Sequence, residues 1–63
     1  MQIELTEREV RNLIIVLDQR LQSLRHEIVH TSMHEFKQKL KDDERILQCL
    51  HDKLVTLDAL NVA

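Results

Sequence analysis

Three histidines stand at intervals of four, His26, His30 and His34, and the first two enclose a glutamate in the order His26-Glu27-Ile28-Val29-His30. On a helix, histidines four apart face one way and can share a zinc ion while the glutamate activates a bound water, the chemistry of a helix-borne metalloprotease centre. That chemistry also needs a third ligand, a substrate cleft and usually a sheet edge to hold a peptide. A chain of 63 residues with no glycine and no proline has little means of building them. His34 does not stand at the spacing of a third zinc ligand on this pattern. The expected reading is a solvated helix C-terminus, where the macrodipole favours a partly protonated imidazole. No catalytic residue, no cofactor and no metal is expected, and the chain does not read as an enzyme. His26, His30 and His34 are the candidate set should a transition metal bind.

Other reactive or charged residues carry less. The lone Cys49 excludes a disulfide framework within one chain and suits a reducing, cytoplasmic setting. Beside the hydrophobic seam it reads as a small, half-buried apolar residue. Arg20, Arg25, Lys37, Lys39, Lys41 and Arg45 could form a phosphate-binding tip. A pI near 6.0 and a single aromatic residue, Phe36, argue against nucleic acid as the partner. Asp43 interrupts the apolar pattern at a core-type position, and pairing to Arg20 or Arg25 across the molecule is its expected role.

The elements that must position these residues are legible in the apolar spacing. Val10, Ile14, Leu17, Leu21, Leu24 and Ile28 recur in steps of four and three, the heptad seam of a helix. Thr6 with Glu9 forms a capping box, and the helix is expected from about Glu7 to about His30. The phase slips at His30-Thr31-Ser32-Met33. A second seam then runs through Phe36, Leu40, Leu47, Leu50, Leu54 and Leu57, with Phe36 placed in the core. Ser32 and Glu35 suggest a second capping box, a tight turn near Thr31-Ser32, and a second helix from about Met33 to about Asp58. The expected fold is an all-α antiparallel two-helix hairpin occupying the whole chain as one unit. The alternative is one long helix with a skip in its heptads.

A single hairpin of this size has a small core, and a partner is implied. Pairing the helices about the turn gathers the largest apolar surface at the open end, wider than one helix–helix seam can cover. Leu13, Ile14, Val16, Leu17, Ile46, Leu50, Leu54 and Leu57 are the expected dimer interface of a four-helix bundle. A second copy is the expected partner, and another helical protein satisfies the same physics. The charge follows this division. Residues 1–19 are net −2, residues 20–41 are net +3 and residues 42–63 are net −3, so the turn half is basic and the open half acidic. The longest apolar run is Leu13–Leu17, far short of a membrane span, and the polar start Met1-Gln2-Ile3-Glu4 does not read as a signal peptide.

At Leu21-Gln22-Ser23-Leu24-Arg25-His26-Glu27-Ile28, followed by Thr31, Phe36 and Leu40, the chain resembles a family of small uncharacterised bacterial helical-hairpin proteins. Arg25, Glu27 and Thr31 are the distinctive positions, and Ser32 departs from the acidic residue usual after the threonine. The resemblance implies a two-helix fold and no assigned activity. In architecture alone, the chain is also similar to the plasmid copy-number regulator ROP, a hairpin dimer that binds RNA. Two functions follow as expectations: a self-associating interaction or scaffold module, or a nucleic-acid-binding regulator using the basic turn half.

Overall fold

The computed structural model of the chain describes residues 2–61. Two helices, α1 (Glu7–His30) and α2 (His34–Asn61), pack against each other as an antiparallel hairpin, with no strand among the described residues. The single long helix is thereby excluded.

Helix α1 starts where the local chemistry demands. The Thr6 N–H donates to Glu9 Oε1 at 2.8 Å, and the Glu9 N–H donates to Thr6 Oγ1 at 3.1 Å. Two otherwise unpaired donors are satisfied reciprocally. Thr31 ends the helix in an extended conformation, its N–H donating to the Glu27 carbonyl at 2.9 Å. No described residue has a positive φ, so the turn is made without any left-handed residue.

That choice lengthens the turn and corrects the expected second capping box. The connection is Thr31-Ser32-Met33, and α2 begins at His34. Met33 takes the flanking position, its carbonyl accepting from the Lys37 N–H at 2.8 Å. Ser32 sits one residue too early, and no hydrogen bond joins it to Glu35 among the described residues. At the other end α2 runs on to Asn61, beyond the expected Asp58, in a stretch that offers neither glycine nor proline to stop it.

The α1 seam is buried as its spacing predicts. Val10, Leu17, Leu21 and Leu24 are buried and Ile14 and Ile28 half-buried. Leu54 packs with Val10 and Leu17, joined by Leu5, Ile14 and Leu47. The α2 seam differs from expectation. Leu40, Leu47 and Leu54, spaced by seven, face α1, while Leu50 and Leu57 turn outward and Phe36 is half exposed at 49 %. Phe36 lies two residues into α2, at the end of the helix–helix contact, where α1 offers no further turn to cover it.

Candidate functional site: two unlike sides of the hairpin

A pair of helices has two long sides flanking its seam, and here the two are chemically different. One side is a ladder of polar rungs. Arg11 Nε donates to Asp58 Oδ1 at 3.2 Å, His51 Nε2 lies 3.6 Å from Asp18 Oδ1, and Arg25 Nε donates to Glu44 Oε2 at 3.3 Å. Arg25 Nη2 also donates to Gln48 Oε1 at 2.7 Å. Arg11, Asp18 and Arg25 are spaced by seven, as are Glu44, His51 and Asp58, so each set forms one line along its helix.

The ladder explains where Asp43 went. Side chains on a helix lean toward their own N-terminus. In an antiparallel pair, residues at one height therefore lean apart, and contact falls to residues further along each chain. Arg25 accordingly reaches Glu44, not Asp43. Arg20 turns along its own helix to Glu27 at 3.5 Å. Asp43 is half-buried and has no ion pair among the described residues, which corrects its expected pairing with Arg20 or Arg25.

His51 is the residue that sequence reading passed over. Its side chain is 18 % exposed, with Nε2 toward Asp18 and Nδ1 3.5 Å from Asp52 Oδ1. Nδ1 is buried without a hydrogen-bond partner. The signal was available: His51 sits midway between Glu44 and Asp58 on a heptad line opposite Arg11, Asp18 and Arg25. Each rung has one partner more than half exposed and contributes little alone, but all three are matched together only in this register of the two helices.

The other side is apolar. Stepping 100° per residue from the buried stripe of α1 in the direction away from the ladder leads to Leu13 and Val16. The same step on α2 leads to Ile46, Leu50 and Leu57. Since the ladder occupies one side of the hairpin, these five residues share the opposite one. All are exposed, Val16 at 57 %, Ile46 at 63 % and Leu50 at 44 %. Ile46 and Leu50 line an open groove on α2 with Arg45, Cys49 and Lys53. Of the eight residues expected at a dimer interface, Leu17 and Leu54 lie in the hairpin's own core and Ile14 is half-buried. Cys49 is exposed, not half-buried as expected.

No family model, curated protein or solved structure matches the chain. The arrangement of its own residues must therefore carry the functional argument.

The histidines do not assemble as the metal reading requires. His26 and His30 lie side by side, with ring centroids 4.3 Å apart and planes tilted by 48°. His34 opens α2 beyond the turn. Among the described residues, no group of three or more His, Cys, Asp or Glu side chains is placed to hold a metal ion. Glu27, the would-be catalytic carboxylate, faces Arg20. In the turn half, Arg20 and Arg25 are engaged in ion pairs, as is Arg45 with Asp42 at 3.5 Å. Among the described helices none is long and apolar enough to cross a membrane.

Proposed function

We propose that this chain is a self-associating helical-hairpin module, an interaction or scaffold element with no chemistry of its own, whose working form is a homodimer closed as a four-helix bundle. The observation that carries the reading is the exposed apolar set Leu13, Val16, Ile46, Leu50 and Leu57 on the side away from the ladder, larger than the Ile15 and Val55 exposed near the ladder. A contiguous apolar stripe on one side of a small protein, with an ion-pair ladder on the other, is the signature of a face meant to be covered. A second hairpin offers a surface of the same width and chemistry, as two-fold association requires.

Light scattering on the eluting peak of a sizing column tests this. The wild-type chain is expected at twice the mass of one chain, and Leu50→Asp at the mass of one. Identical masses for both would contradict the reading. A nucleic-acid role has weaker support, because the turn-half arginines are paired to carboxylates and phosphate contacts would fall to Lys37, Lys39 and Lys41.

A further inference from the structure

The geometry points to an antiparallel arrangement of the two hairpins, with a second copy of this chain laid on the apolar side so that its turn lies at the opposite end. This rests on the self-association proposed above and adds its orientation and contacts.

Four observations favour it. First, the apolar side is confined to the open half. Along α1 it holds Leu13 and Val16 and then gives way toward the turn to Arg20 and Glu27, whose ion pair seven residues apart marks them as one line. Along α2 it holds Leu57, Leu50 and Ile46 and gives way to Asp43 and Lys39. A two-fold axis crossing the hairpin through the middle of this patch lays the patch on itself. The hairpin ends that carry Glu27, Lys37 and Lys39 then project into water. A parallel pair would instead stack Arg20, Glu27, Asp43 and Lys39 against another such set and desolvate them.

Second, the α1 edge of the patch is complementary to its own reverse. Glu9, Leu13, Val16 and Arg20 follow one another at intervals of four, three and four. Read backwards, the apolar pair stays in place and the charges exchange sign. Two copies running in opposite directions put Glu9 of each beside Arg20 of the other, twice, with Leu13 meeting Val16 between them. One Glu9 oxygen, Oε1, accepts from the Thr6 N–H, which leaves Oε2 for this contact.

Third, the α2 edge follows the same operation. An axis that passes between Leu13 and Val16 crosses α2 close to Leu50, since a turn centred on Ser32 sets residues whose numbers sum to 64 at one height, as Val10 and Leu54 are in the core. Ile46 of each copy then approaches Leu57 of the other, and the two Leu50 side chains lie nearest the axis. Fourth, the charge distribution agrees. Residues 20–41 are net +3, whereas residues 1–19 and 42–63 are net −2 and −3. Parallel packing would set the two basic turn halves side by side, whereas antiparallel packing carries them to opposite ends of the dimer.

A distance between the two turns decides the matter. A nitroxide is attached to Ser32→Cys in a Cys49→Ser background, and the electron dipolar coupling is measured on the full chain, with sedimentation run on the same sample. From an axis between Leu13 and Val16 to the turn is about 17 residues at about 1.5 Å each, on both sides, so a distance of about 50 Å is expected. A parallel dimer would bring the turns within about 25 Å, two helix spacings plus the label arms. A sedimenting dimer with that short distance overturns the antiparallel inference and leaves self-association standing. A monomer in sedimentation overturns both.

Discussion

Thr6 and Glu9 close the first turn of α1 on each other, and the consequences are local enough to measure. Replacing Thr6 by Ala removes the hydroxyl that accepts from the Glu9 N–H and is expected to cost about 1 kcal/mol, read as a lower urea midpoint. The partner carboxylate gives the cap a pH dependence. The Thr6 N–H, and then the Thr6 hydroxyl, hold the Glu9 carboxyl below its ordinary value of 4.5. A carboxyl lowered in the folded state adds stability above its unfolded value, and that stability is lost as pH falls through the lowered folded value. Helicity followed by circular dichroism should therefore weaken on acidification below about 4.5, with a smaller Glu9 contribution in Glu9→Gln. An identical acid limb in both proteins would remove Glu9 as a source. This cap was legible in the sequence because every group in it lies within four residues. Ser32 and Glu35 show the same local pattern, yet Met33 takes the flanking position and the helix starts at His34.

Between the helices, two different kinds of contact are predicted to respond differently to substitution. Leu24 is fully buried, and Leu24→Ala should cost about 2–5 kcal/mol through lost transfer energy and the cavity left behind. Phe36→Ala should cost well below that despite the larger side chain, since half of Phe36 already meets water. A Phe36→Ala loss equal to that of Leu24→Ala would mean that Phe36 is covered by something beyond its own hairpin. A double-mutant cycle on Arg25 and Glu44 should return about 0.2–1 kcal/mol, because the pair is solvated, and the coupling should shrink in high salt. The α1 stripe could be read from periodicity alone because α1 has one continuous apolar line. On α2 the spacing is ambiguous. Leu40, Leu47 and Leu54 make one line, and Ile46, Leu50 and Leu57 make another beside it. Periodicity finds both lines and cannot tell which meets α1. Long-range complementarity decides it, through Arg11, Asp18 and Arg25 against Asp58, His51 and Glu44. That pattern spans nearly the whole chain and emerges only when the two helices are aligned.

The whole molecule is a hairpin with an ion-pair ladder on one side and its largest exposed apolar set on the other, and the proposed association should be felt in its stability. A protein whose folded form is the associated form unfolds at a temperature that rises with concentration. The melting temperature of the wild-type chain should therefore climb across a concentration series, and that of Leu50→Asp should stay level. His30→Ala, on the solvated outer face of α1, should change stability by no more than about 0.5 kcal/mol and leave the concentration dependence intact. The smallness of the core was legible in the sequence, because 63 residues with so narrow a seam bury few side chains. Which apolar residues stay outside that core was legible only in part: Leu17 and Leu54 are used within the hairpin. The measurement that bears most directly on the account is sedimentation equilibrium of the wild-type chain from low to high micromolar concentration. A reversible monomer–dimer equilibrium approaching twice the mass of one chain is predicted. A folded species that keeps the mass of one chain at every concentration would contradict it.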